Sequence, residues 1–212
     1  MRKIFKHKVF INGHGFTLVE IVVVMGVLAV LGTIITIIFS RSLRGSNKAQ
    51  ILSAIKQNGQ SVLEILDKNI RGADNVVCPP PSSSSTTLVY ETQGSYTRYR
   101  FIAPTTTSPL KNGKIIQDNP TPTEEESQQD PSVFLGRICN INDIIEENQI
   151  TEITDTNPLS GVSVAGHFER DSKEGFMDIV TVDFTVSPGV SASPGLGGDI
   201  DPVPFVTTIT LR

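Results

Sequence analysis

From Ile21 to Phe39 the chain carries nineteen consecutive residues without a formal charge, and Val, Ile and Leu fall on every side of the helix that this run would form. About 20 apolar residues in a helix cross roughly 30 Å of hydrocarbon. A core helix of a globular domain would confine its apolar residues to a stripe, and a secretory signal would be followed by a small-residue cleavage site. Here the run ends in "SRSLRGS", so the pattern predicts a transmembrane helix. The pattern then becomes amphipathic. Leu52, Ile55, Val62, Leu66 and Ile70 recur at helical spacing with Lys56, Gln57, Gln60 and Asp67 between them, and Gly72 fits a helix stop. Beyond "CPPPSSSST", residues 78–86, the period shortens to that of strands: "TLVYET", "SYTRYRFIA", "SVFLGRI", "GVSVAGHF", "MDIVTVDFTV" and "FVTTITL". The fifth is clearest, with Val180, Val182, Phe184 and Val186 on one side and Thr181, Asp183 and Thr185 on the other. Tyr90 to Phe101 reads as a hairpin about "TQGS". Residues 117–132 and 187–204 lack periodicity and read as exposed loops. The expected fold is α+β, a long N-terminal helix packed on a C-terminal antiparallel sheet.

Composition narrows the function. The 212 residues, 38% of them hydrophobic, allow one ordinary domain plus an anchor. Arg2, Lys3, Lys6 and Lys8 make the first fifteen residues basic, and without them 14 basic residues face 22 acidic ones, a net charge of −8. That excludes a broad nucleic-acid surface. Tyr96, Arg98 and Arg100 alternate onto one strand face, followed by Lys111 and Lys114. They read as an exposed edge guarded by positive charge, with a small single-strand patch as the alternative. Of three histidines, His7 and His14 lie in the basic leader, so only His167 is available to the rest of the chain, and "GHFERD" contains no nucleophile elbow. No catalytic residues are expected. The acidic segments "TEEES", 123–127, and "GGDIDP", 197–202, offer oxygen ligands such as calcium takes but match no EF-hand spacing. They read as solvated loops, and no cofactor is expected. Cys78 and Cys139 stand 61 positions apart without a CxxC. Zinc has little support, and a disulfide or two free thiols remain, according to compartment.

The basic leader followed by Gly15, Phe16, Thr17, Leu18, Val19, Glu20 and the long apolar run resembles the class III signal of type IV prepilins and of type II secretion pseudopilins. Ile37 stands where that family often has a proline. The resemblance implies cleavage between Gly15 and Phe16 by a membrane prepilin peptidase and methylation of the new Phe16 amine. It implies partnership with other pilin or pseudopilin subunits, an inner-membrane assembly platform and membrane lipid, and a non-enzymatic role. Its domains would be a leader, 1–15, a transmembrane and assembly segment, 16–40, an amphipathic helix, 41–72, and an extracytoplasmic β-rich domain, 73–212. "LEILDKNIRGADNVV", "LVYETQGSYTRYRFI" and "TTITLR" further resemble minor pilins of the PilW type and J-type pseudopilins. The rival reading is a signal-anchored extracytoplasmic binding or enzymatic domain that keeps its leader and joins no filament.

Glu20 is the feature that needs a physical reason. In the first helical turn it meets the positive end of the helix dipole, worth about 0.3–1 kcal/mol, against roughly 2.5–3.5 kcal/mol for a charge at a helix centre. It should therefore sit near the interface or be paired. The resemblance implies the partner, the Phe16 amine of a neighbouring subunit in a bundle of helices. Basic residues flank the span equally, with Arg41, Arg44, Lys48 and Lys56 after it. The acid-free leader and the resemblance place the N-terminus in the cytoplasm.

Overall fold

The computed structural model describes residues 17–105, 107–140, 143, 150–155, 157, 161–191 and 200–211. Two compact units divide the chain, Met1–Gly45 and Ser46–Arg212. Helix α1, Leu18–Arg71, runs through both. In the first unit the described helical side chains are exposed, as an all-round apolar helix must be without lipid or neighbours.

In the second unit α1 buries one stripe, Ile55, Gly59, Val62, Leu66 and Ile70. After it come β1, Asn75–Cys78; β2, Ser83–Ser85; β3, Thr87–Thr92; β4, Ser95–Ile102; and β5, Lys114–Asp118. A single 3-10 turn, Glu126–Gln128, precedes α2, Pro131–Ile138. The chain ends with β6, Thr151–Glu152; β7, Val162–Asp171; β8, Ile179–Pro188; and β9, Val203–Thr210. Among the described residues these strands form two antiparallel sheets, ordered β1-β3-β4-β5-β6 and β2-β7-β8-β9. The inner faces of both share one core with the α1 stripe: Leu88, Tyr99 and Phe101 from the first, Phe168, Val182 and Phe184 from the second. The alternation expected of Val180 to Val186 is observed, all four apolar side chains being buried. The β3–β4 hairpin turns on Gln93 and Gly94, at φ of 50° and 75°, as a tight two-residue turn between right-twisted strands requires.

Glycine at position 59 has a packing reason. A Cβ there would overlap the ring of Phe205 on β9, so the bare backbone lets helix and sheet approach. Polar ties fix the same face: Asn69 Nδ2 donates to the Tyr99 hydroxyl at 2.6 Å, and the Asp155 amide donates to Asn58 Oδ1 at 3.3 Å.

Two expectations are corrected. "SVFLGRI" forms α2 and not a strand. Asp130 caps it by accepting the Ser132 amide at 2.8 Å, Pro131 opens its first turn, and Phe134 and Ile138, four apart, are its buried face. So short an apolar run does not distinguish strand from helix by period, and the D-P-S start decides it. The stretches 117–132 and 187–204 are also not wholly loop, since Gln117 and Asp118 close β5, α2 opens at Pro131, Ser187 and Pro188 close β8, and Val203 and Pro204 open β9.

Candidate functional site

The head of α1 is the first place where sequence and geometry meet. Thr17 caps the helix: its Oγ1 accepts the Glu20 amide and its carbonyl accepts the Ile21 amide, both at 3.2 Å. Thr17 and Glu20 thus occupy the first and last positions of the T-x-x-E spacing that marks a helix start. Sequence reasoning passed over this cap, although the spacing was there to read. Glu20 is exposed in the first turn. Gly15 and Phe16 lie outside the described residues. Beyond Glu20 the helix is long and apolar enough to cross a bilayer, with none of its most apolar stretch buried. Its hydroxyls there are satisfied within the helix: Thr33 donates to the Val30 carbonyl at 2.7 Å and Thr36 to that of Gly32 at 2.8 Å. Neither leaves a polar group bare toward hydrocarbon.

A second constellation lies on the outer face of the first sheet, where the Cys78–Cys139 disulfide joins the end of β1 to the C-terminus of α2 with Cα atoms 5.9 Å apart. Phe134, Ile138 and Val89 pack beside it in a small separate core. Arg98 and Arg100 of β4, read from sequence as an exposed basic edge, are 2% and 4% exposed. That reading is corrected, because β4 is central in its sheet and α2 covers the face. Arg98 grips Asp118 through Nε at 3.0 Å and Nη2 at 2.7 Å, and its Nη1 reaches Asp143 at 2.6 Å and the Ile138 carbonyl at 3.2 Å. Arg100 donates to the carbonyls of Asn140 and Asp143. Two guanidinium groups thus meet the negative end of α2 and the turn after it. Burial opposes the Arg98 charge, yet hydrogen bonds to Asp118 and Asp143 outweigh it and hold the pKa above its ordinary value. Burial and then the neighbouring Arg98 push the Arg100 pKa down. The missed signal was an arginine pair set among the core residues Tyr99 and Phe101, where charge must find partners.

His167 is exposed on β7 opposite Asp183 of β8. Asp171 is four residues further along the strand, about 13 Å away, too far to relay a proton. Glu126 of the "TEEES" segment is engaged by Arg137, and Asp201 of the "GGDIDP" segment is exposed, while Asp199 lies outside the described residues. Among the described residues no three His, Cys, Asp or Glu side chains gather as metal ligands would.

Residues 12–36 match the family model of the prokaryotic N-terminal methylation motif. The match spans the residues just ahead of Thr17, Thr17 and Glu20 themselves, and the first turns of the exposed apolar helix, and supports the type IV pilin and pseudopilin likeness. A motif of this kind implies processing by a prepilin peptidase and assembly with other pilin-type subunits, and together with the apolar helix it fits membrane anchoring. No curated protein and no solved structure matches the chain.

Proposed function

We propose that this chain is a minor, non-enzymatic pilin or pseudopilin subunit, cut between Gly15 and Phe16 by a prepilin peptidase, methylated at Phe16, and assembled into a type IV pilus or type II secretion pseudopilus through its N-terminal helix. The observation that carries the reading is the methylation motif seated on a helix whose large apolar side chains from Leu18 to Phe39 are exposed. Such a surface is stable in lipid or against like helices. In this reading the leader stays in the cytoplasm, residues 16–40 hold the chain in the membrane, and the β-rich domain is extracytoplasmic. An oxidising compartment suits a disulfide at Cys78 and Cys139. Glu20 takes the Phe16 amine of a neighbouring subunit. Helix α2, packed over the first sheet between β5 and β6, supports the minor role, because it elaborates the domain beyond one helix and a sheet.

Co-expression with a prepilin peptidase, followed by N-terminal sequencing of the membrane-extracted protein, tests the reading. The expected product begins with methylated phenylalanine, and Gly15→Val, which crowds the scissile backbone, blocks the cut. An unprocessed chain or a cut after Ser42 overturns it.

A further inference from the structure

Helix α2 covers Arg98 and Arg100 but is weakly fastened to the sheet beneath it. Its eight residues are too few for a helix to persist alone in water. Among the described residues no backbone–backbone hydrogen bond joins it to either sheet. Its buried side chains, Phe134 and Ile138, sit with Val89 and Cys78 in the small core. The main core, built from the α1 stripe and the inner faces of both sheets, contains no residue of α2 and neither cysteine. Other bonds of this segment stay within it: Arg137 Nε donates to Glu126 Oε1 at 2.6 Å and Arg137 Nη2 to the Thr121 carbonyl at 3.0 Å. They knit Thr121 to α2 without fixing either to the sheet.

The covered face also carries a polar cost. Arg100 Nη1 and Nη2 reach the carbonyls of Asp143 and Asn140 at 3.0 and 3.1 Å, while its buried Nε finds no acceptor. Thr87, opposite Arg100 on β3 and fully buried, has an Oγ1 that finds no partner either. Unpaired polar atoms oppose their own burial, and water admitted beside β4 satisfies both. Arg98 keeps its grip on Asp118 whether or not α2 is in place, since that bond lies between β4 and β5. What α2 adds to it, the Ile138 carbonyl, is a contact that water replaces. The covalent tie is therefore decisive. Cys78 is buried at the end of β1, and half-buried Cys139 caps α2 just before Asn140, whose carbonyl Arg100 takes.

We infer that the Cys78–Cys139 disulfide is a redox latch. Oxidised, it holds α2 over Arg98 and Arg100; reduced, it lets the segment from Thr121 through α2 leave β4 as a unit while both sheets stay folded. Opening begins when a thiolate of an external dithiol attacks the half-buried Cys139 sulfur, forming a mixed disulfide and releasing Cys78 as a thiolate. The second thiol of the reductant then displaces Cys139. The dithiol ends as its own disulfide, and its two electrons and two protons end on the Cys78 and Cys139 thiols. Closing is the reverse, with a small disulfide as oxidant. The open form presents Arg98 and Arg100 to water at the centre of the first sheet, and the closed form hides them. In the proposed function, closure marks arrival of the domain in an oxidising compartment, but the latch itself uses neither processing nor filament assembly.

Amide exchange of the full chain in detergent, before and after dithiothreitol, tests the latch. Residues 131–139 are expected to lose their protection on reduction while β3, β4, β7 and β8 keep theirs, and oxidised glutathione is expected to restore it. An arginine-specific dicarbonyl reagent should label Arg100 only in the reduced chain, with Arg170, held by Asp178 on the second sheet, labelled alike in both states. The double variant Cys78→Ser with Cys139→Ser should match the reduced form without any reductant. Equal protection of α2 in both states overturns the inference, and so does labelling of Arg100 before reduction. Loss of protection in both sheets together with α2, on reduction or in the double variant, also overturns it, because the bond is then a brace for the whole domain. A chain that a prepilin peptidase leaves uncut, yet that opens and closes as described, overturns the proposed function alone.

Discussion

Arg98 and Asp118 face each other across β4 and β5 in a two-point grip, with Nη2 to Oδ2 at 2.7 Å and side chains 2% and 4% exposed. A buried pair of this kind is costly to break because the survivor keeps its charge in a low-dielectric setting. Asp118→Ala should lower stability by about 3 kcal/mol, the low end for such a break, since Asp143 stays on Nη1. Replacing both residues, Arg98→Met with Asp118→Leu, should recover part of that loss. Urea unfolding of the detergent-solubilised full chain measures both, and an Asp118→Ala midpoint equal to wild type would refute the grip.

Acid should loosen the segment ahead of α2 before it loosens the sheets. The hydrogen bond from Arg137, with help from the Thr123 amide, holds the Glu126 carboxyl at about 2, below its ordinary 4.5. The Ser132 amide lowers the Asp130 pKa in the same direction. A carboxyl depressed in the folded state contributes stability that is fully present above its unfolded pKa and is lost as pH falls through its folded pKa. Amide-exchange protection of residues 123–137 should therefore hold at pH 5 and fade between pH about 4.5 and about 2. Glu126→Gln should flatten that pH dependence, and a wild-type segment equally protected at both ends refutes the coupling.

At Gly59 the expected effect is steric. Gly59→Ala drives a methyl into the Phe205 ring, and overpacking of this sort costs about 1–3 kcal/mol. Against it stands the gain in helix propensity of about 1 kcal/mol, so the net change should still be a loss. Phe205→Leu should restore stability in the Gly59→Ala background while costing stability alone. Thermal unfolding of the wild type and the three variants closes the cycle, and strictly additive effects would mean that helix and strand do not meet there.

The parts of this fold legible in the sequence are those whose cause is local. Ile55, Val62, Leu66 and Ile70 announce their helix by period, and Val180 to Val186 their strand, because one face meets water and the other the core. Cys78 and Cys139 could be named as a candidate pair but not joined, since their meeting depends on α2 folding back over β4. Arg98 and Arg100 misled for a related reason. Alternation tells which residues share a face, and only the tertiary placement of α2, Asn140 and Asp143 decides whether that face is covered. The short strand β5 was missed because "KIIQD" begins next to a loop and runs into the polar, proline-containing segment that follows it. At the head of α1 the cue was local and sufficient: Thr17 with Glu20 three residues on.

That capping pair separates two roles for Glu20. As part of a helix start, Glu20 would matter through the order of the first turn, and Thr17→Val, which removes the oxygen that accepts the Glu20 amide, would disturb that turn by about 1 kcal/mol. As an assembly residue, it matters through its charge and a cation on another subunit. Glu20→Gln keeps size and hydrogen-bonding capacity while deleting that charge. Processing and folding of the β-rich domain should survive it, because the nearest core residue on α1, Ile55, follows tens of residues later, beyond a Debye length of about 8 Å. The expected outcome is a Glu20→Gln protein that is cut and stable but largely missing from sheared filaments, and a Thr17→Val protein that is incorporated with a smaller loss. Quantitative immunoblotting of filaments against total membrane protein reads both. Wild-type incorporation of Glu20→Gln, or an equal loss for the two variants, would assign Glu20 to the helix start and remove it from assembly.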